Sequence, residues 1–424
     1  MIAVTTGATL TAARARTEVI ATRDGAESRS TRLEVRIPKV QCSHLSSSPA
    51  RLIPVYGSLL EEDDIEAASS ALRRGWLGMG TDVSQFEATV AETIGASDRK
   101  AVALATGGAA LHVAALIAGL GPGDEVIVPS MCHLSNVQAI LATGAQPVFC
   151  DVDDETLCID PHRIDELIGP HTRAIMALDY GCYVCDHDAI GALAAAHGLR
   201  VIHDAAHSFG SSSNGRGIGT FTDICMFSFD PVKCLTAVDA GVLMLADEDE
   251  QRFARQIRIL GSDQPPEVMY KNARTWDYDA VRVGYRYHLS NIHAALGISQ
   301  VAKLPRIRAN RQSACTRYAE RLQGYDSIRA PFNCFSDMTP FLYFIRVPAE
   351  LRDGLRAALK DEGIDTGLHW RPAHIHTYFT QFHRGPLPVS EAAGSDVISL
   401  PLHSAPMSDE VIDRVCDTIV KFLR

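Results

Sequence analysis

The chain contains no apolar run near the roughly 18 consecutive residues that a membrane-spanning helix needs, so no membrane partner is expected. Positive charge is in deficit: 40 Lys and Arg against 51 Asp and Glu leave a net charge of −11. A nucleic-acid partner therefore has no electrostatic support. A disulfide framework is also missing. The 11 cysteines are odd in number and scattered, which fits a reducing cytoplasm rather than a secreted mini-domain. Cys182-Tyr-Val-Cys185 has the spacing of redox and zinc sites, but no second CxxC accompanies it. The pair reads as two loop thiols, and no metal is expected. No glycine-rich dinucleotide turn follows any predicted strand, which sets aside hydride transfer on a Rossmann fold.

What is present is the make-up of a globular protein with more than one domain: 424 residues, 46% hydrophobic and 21% charged. Residues 1–52 stand apart. They carry eight Lys and Arg against four acids, are rich in Ser, Thr and Ala, and show no sustained periodicity. No continuous apolar segment follows the charges, as a secretory signal would require. The acids also count against a transit peptide. The segment reads as a disordered extension, or as sequence ahead of the true start codon.

From Ile53 onward, short apolar strands alternate with helices. Glu61-Glu62-Asp63-Asp64 opens a helix running to about Arg74, with its acids at the positive end of the helix dipole. Strands are predicted at 101–105, 125–129, 147–151, 174–178, 200–203, 223–229 and 241–245, with helices at 109–118, 134–142 and 186–197 between them. Strands buried on both faces and separated by helices predict an α/β fold with a mostly parallel sheet of the doubly wound kind. A long helical region over 290–323 and a smaller α+β segment follow. The expected division is a large α/β domain over 53–270, then an interdomain helix and small C-terminal domain over 271–424.

Lys233 ends Phe227-Ser228-Phe229-Asp230-Pro231-Val232-Lys233, directly after an apolar strand. An upstream strand ends in Val201-Ile202-His203-Asp204. A strand-end lysine and a strand-end aspartate are the pair that pyridoxal phosphate chemistry needs. The amine forms a Schiff base with the cofactor aldehyde, and the carboxylate keeps the pyridine nitrogen protonated so that the ring acts as an electron sink. Thr106-Gly107-Gly108, between the first strand and its helix, offers a hydroxyl, free N–H groups and close backbone approach at a helix N-terminus, as a phosphate site does. It matches neither the dinucleotide nor the P-loop pattern.

From about Ile53 to its end the chain resembles the DegT/DnrJ/EryC1/StrS aminotransferases, fold type I pyridoxal phosphate enzymes that often aminate nucleotide-linked keto sugars. The resemblance rests on Gly75-Trp76-Leu77-Gly78-Met79-Gly80, Gly121-Pro122-Gly123-Asp124-Glu125, Asp204-Ala205-Ala206-His207, the segment ending in Lys233, Gly284-Tyr285-Arg286-Tyr287-His288-Leu289-Ser290 and Leu400-Pro401-Leu402-His403. It implies that Lys233 is the Schiff-base lysine and proton carrier, and that Asp204 is the pyridinium partner. His207 would lie near the phenolic oxygen, Thr106, Gly107, Gly108 and Ser228 at the phosphate, and His133 over the ring.

Three departures stand out. Gly108 replaces a hydroxyl residue of the family's phosphate turn, and Cys234 follows the lysine where the family favours Asn. Arg286 stands where the family sends an Asn to the phosphate of the neighbouring subunit, and an arginine there could supply a charge-assisted contact. The resemblance further implies a homodimer with shared active sites. It also implies glutamate as donor, pyridoxamine phosphate as the intermediate cofactor form, and a nucleoside-diphosphate keto sugar as acceptor, in amino-sugar or polysaccharide biosynthesis. A keto-inositol acceptor and a non-catalytic regulatory relative are the alternatives. The family's dehydratase branch carries His at the lysine position, so Lys233 argues against it.

Overall fold

The computed structural model describes residues 52–96 and 98–424. The expected N-terminal extension therefore lies, but for Leu52, outside the described residues. The described residues form one compact unit. At its centre is a seven-stranded sheet made of β1 (Lys100–Leu104), β2 (Glu125–Pro129), β3 (Gln146–Cys150), β4 (Thr172–Leu178), β5 (Arg200–Asp204), β6 (Ile224–Ser228) and β7 (Gly241–Leu245). The spatial order is β1-β7-β6-β5-β4-β2-β3. The β2–β3, β2–β4, β4–β5 and β5–β6 pairs are parallel, and β7 runs antiparallel to both β1 and β6. The strands are short Val-, Ile- and Ala-rich runs because both faces are covered.

The helices that place the site are α1 (Glu62–Arg74), α2 (Thr81–Thr93), α3 (Gly107–Ile117), α4 (Leu134–Ala142) and α5 (His187–His197). α1 starts with three acids, ends with Arg73 and Arg74, and stops at Gly75 with φ 78°, the left-handed conformation that favours glycine. α3 is apolar nearly all round, and its buried residues run from Ala109 to Ala115. One face of the sheet buries Val102, Leu104, Val126, Val128, Met176 and Ile202 under α3 and α4. The other packs Ala103, Phe227, Val242 and Met244 against Val83 and Phe86 of α2.

The helical region over 290–323 is two helices, α6 (Asn291–Ala302) and α7 (Leu304–Leu322). The break falls at Lys303, because Pro305 lacks the N–H needed to continue the ladder. Lys303 Nζ is held by Asp63 at 2.7 Å and by Asp64 of α1. In the C-terminal part, β8 (Tyr343–Arg346) pairs antiparallel with β9 (Val397–Leu400). Tyr318, Tyr343, Ile398 and Val415 share a separate apolar cluster there. No described helix is long and apolar enough to cross a membrane.

Candidate active site

The turns after several sheet strands converge on one cavity of about 430 Å³, lined by Thr106, Gly107, Gly108, His133, Asp204, His207, Ser228 and Lys233 among others. This is the carboxyl edge of a parallel sheet, where open α/β proteins bind their ligands. Eight of the nine site residues expected from the sequence thus meet in one place. Arg286 does not; it lines a separate cavity with Arg274, Trp276 and His288.

Thr106 is the N-cap of α3, and its Oγ1 accepts the Ala109 N–H at 2.9 Å. The N–H groups of Gly107 and Gly108 open the helix without intrahelical partners. A Cβ on Gly107 would lie 2.9 Å from Ser228 Oγ, so only glycine lets the turn and the β6 end approach this closely. At Gly108 a Cβ would be 3.8 Å from Ser135 Cβ, an ordinary contact. The hydroxyl that Gly108 lacks has a neighbour in Ser135, which lines the same cavity. A hydroxyl and free N–H groups at a helix N-terminus suit a dianionic phosphate.

Asp204 ends β5 and is buried. Its Oδ2 accepts from Asn136 Nδ2 at 2.7 Å, and its Oδ1 accepts from Ala206 N at 3.0 Å. Burial pushes its carboxyl above the ordinary range, opposed by the Asn136 hydrogen bond and the Lys233 charge. Such a carboxylate suits a cationic N–H inside the cavity. Lys233 follows a turn closed by Asp230, whose Oδ1 accepts from Val232 N at 3.0 Å. Its Nζ stands 4.2 Å from the Phe341 ring centroid. Burial lowers its pKa, against the pull of Asp204 and Asp230, and so favours the neutral, nucleophilic amine. Cys234 does not line the cavity; its thiol donates to Pro340 O at 3.5 Å in the core.

The His207 ring is stacked on Trp370 at 5.2 Å and lies 4.2 Å from Phe341. Burial, then the Lys233 charge, holds it well below the ordinary histidine pKa. Its Nδ1 accepts from Gly181 N at 3.2 Å, which leaves the proton of the neutral ring on Nε2. His133 is the N-cap of α4, with Nδ1 2.7 Å from Ser135 Oγ.

Sequence reading missed Asn136, Tyr56, Phe341, His369 and Trp370. Tyr56 stacks on Phe341 at 5.5 Å and bonds His369 Nε2 at 2.7 Å. These residues come from chain segments far apart, so no local pattern flags them. Asn136 left no distinct signal either, because Ser135 and Gln138 are polar residues of the same Leu134–Ala142 helix.

The arrangement offers an amine, a buried carboxylate and a phosphate cradle around one cavity, which fits the donor set of a pyridoxal phosphate site. The sequence profile of the DegT/DnrJ/EryC1/StrS aminotransferase family matches residues 58–420. The spore coat polysaccharide biosynthesis protein SpsC of Bacillus subtilis (strain 168) is 33% identical over 376 residues, covering 87% of this chain and 96% of that protein. The aminotransferase TlmJ from Streptoalloteichus hindustanus superposes with a TM-score of 0.81 at 32% identity, covering 88% of this chain and 99% of the other. The candidate sugar aminotransferase Spr1654 of Streptococcus pneumoniae, solved in its PLP form, gives a TM-score of 0.80 at 25% identity over 88% of this chain and 100% of that one. This fold type I α/β protein belongs to the DegT/DnrJ/EryC1/StrS family of pyridoxal phosphate-dependent aminotransferases.

Proposed function

We propose that the chain moves an amino group from glutamate to a nucleoside-diphosphate-linked keto sugar, with pyridoxal 5′-phosphate held between Lys233 and Asp204. The observation that carries this reading is the meeting of Lys233, Asp204 and the α3 N-terminus on one cavity. The name of SpsC, tied to polysaccharide biosynthesis, supports a sugar acceptor.

When bound, the cofactor supplies an electron sink for the pair released at the substrate's α-carbon. Lys233 would anchor the group through its Nζ and, once released by an incoming amine, would serve as the base that takes the substrate's α-proton. Asp204, hydrogen-bonded by Asn136 and the Ala206 N–H, would pair with a protonated ring nitrogen. His207, with its proton on Nε2, would offer that N–H to the phenolic oxygen. Thr106, Gly107, Gly108 and Ser228 would hold the phosphate, and Ser135 would supply the hydroxyl absent at Gly108. His133 would cover the ring, while Phe341, Trp370 and Tyr56 would exclude water. In the second half the same Lys233 amine would deliver a proton to the acceptor carbon.

In this reading the chain works as a homodimer in the cytoplasm, and Arg286 serves the partner subunit's cavity. The exposed Trp276 and Val283, 83% and 80% accessible on the segment that carries Arg286, supply apolar surface for that contact.

A half-reaction assay tests the proposal. The protein is converted with glutamate, freed of donor, and offered nucleotide-linked 3-keto and 4-keto sugars and a keto-inositol. Return of the starting cofactor absorption with a nucleotide sugar is the expected result. Response to keto-inositol alone replaces the acceptor. A protein that binds the cofactor and ignores every amino donor overturns the reading.

A further inference from the structure

Behind the cavity, Asp179, His187 and His203 meet in the protein interior. The Asp179 and His203 side chains have no exposed surface, and that of His187 is 2% exposed. One ligand atom from each lies within 4.8 Å of the others. Asp179 Oδ1 is 3.0 Å from His187 Nε2, and Oδ2 is 2.7 Å from His203 Nε2. The residues come from three elements: Asp179 follows β4, His187 is the first residue of α5, and His203 precedes Asp204 on β5. Adjacent strand residues project to opposite faces, so His203 points away from the cavity that Asp204 lines.

The surroundings suit a cation. Asp179 also accepts from Ser208 Oγ at 2.5 Å and from Cys185 N at 3.0 Å, so its position is fixed and a hydroxyl stands beside it. His203 Nδ1 lies 3.2 Å from Thr222 Oγ1, the outer bond that orients a metal-bound imidazole. His187 Nδ1 is buried with no hydrogen-bond partner among the described residues. A cleft of about 710 Å³ reaches His187 and Cys185 from solvent. Its walls carry Asp153, Asp160, Asp186 and Asp188 with Arg216, a balance that draws cations inward.

We propose that Asp179, His187 and His203 bind a divalent transition-metal ion of the zinc class, at a structural site separate from the cofactor cavity. One carboxylate oxygen and two imidazole Nε2 atoms are the donors, and water or Ser208 completes a tetrahedron. A carboxylate with two imidazoles selects zinc over magnesium or calcium. Each imidazole moves its proton from Nε2 to Nδ1, which frees the Nε2 lone pair and lets His203 Nδ1–H donate to Thr222. Bonds of about 2.0–2.1 Å place tetrahedral ligand atoms about 3.3 Å apart, near the 3.0 and 2.7 Å that separate the imidazole nitrogens from the Asp179 carboxylate. The ion ties the turn after β4 and the start of α5 to the strand that carries Asp204.

The full chain with its cofactor, stripped by a chelator and dialysed against zinc or cobalt(II), tests this. Expected are about one zinc per chain by elemental analysis, the visible bands of tetrahedral cobalt, and a rise in Tm with zinc but not magnesium. His187→Ala lowers zinc affinity by roughly 100-fold or more. His374→Ala, in the separate His374, His383 and Glu391 group, leaves it unchanged. Folded wild-type protein that takes up no zinc overturns the proposal, as does equal binding by His187→Ala. Should that variant fail to fold, the cobalt spectrum and the Tm response of the wild type decide alone.

Discussion

Asn136 Nδ2 lies 2.7 Å from Asp204 Oδ2, and both side chains are buried. A helix thus reaches across to hold the strand-end carboxylate from behind. A hydrogen bond to a charged group contributes about 1.5–3 kcal/mol. Asn136→Leu is therefore expected to weaken cofactor binding about 10- to 100-fold, measured by fluorescence titration of the cofactor-free protein. Unchanged affinity would show that Asp204 does not depend on this donor.

Gly241 sits where β7 crosses the phosphate turn. A Cβ there would lie 2.3 Å from Thr106 O and 2.7 Å from Ala110 Cβ. The backbone carbonyl cannot step aside, so Gly241→Ala should cost about 1–3 kcal/mol and shift the turn. A lower Tm together with faster cofactor loss on gel filtration is the expected pair of results. Lower Tm with unaltered cofactor retention would separate the strand crossing from the phosphate site.

Arg286 does not line its own chain's cavity, and in the proposed dimer it serves the partner subunit's. Arg286→Ala should weaken cofactor retention. In mixed dimers with Lys233→Ala, one cavity combines both defects and the other carries neither, so part of the activity should return. Unchanged cofactor affinity in the single variant sinks the contact.

His369 bonds Tyr56 and Ser399, and burial, followed by the Lys233 and His133 charges, lowers its pKa to about 4. Between its ordinary 6.5 and about 4, the unfolded chain binds a proton that the folded one refuses. Stability contributed by this group is therefore present above pH 6.5 and is lost as pH falls towards 4. His369→Gln should flatten that part of the Tm-against-pH curve in differential scanning fluorimetry. An equally steep curve in the variant would assign the loss to other groups.

Glu87 anchors a buried charge. Its Oε1 accepts from Arg258 Nη1 at 2.5 Å and from Ala103 N at 2.8 Å, and Arg258 has no exposed surface. Glu87→Ala leaves that guanidinium unpaired in the interior, which should cost about 3–5 kcal/mol in urea unfolding. A loss under about 1 kcal/mol would mean that water reaches Arg258.

The strand runs and the polar residues at their ends were legible because both are local. A five-residue apolar stretch ending in Asp204 or Ser228 announces itself within a short window, and so does the glycine pair at Gly107 and Gly108. Pro305 shows how narrow that window is. Helical periodicity passed over it, and the structure stops one helix and starts another there.

What the sequence by itself determined was the set of elements and the chemistry at their ends: the amine of Lys233, the carboxylate of Asp204 and the turn at Thr106. Only the tertiary structure decided that β7 inserts antiparallel between β1 and β6, which presses Gly241 against Thr106. It also brought Tyr56, Phe341 and Trp370 around Lys233, put Asn136 behind Asp204, and kept Arg286 out of its own chain's cavity. Backbone preference and burial period act over a few residues, whereas a cavity is closed by packing between segments far apart in the chain. No short stretch of sequence records those contacts.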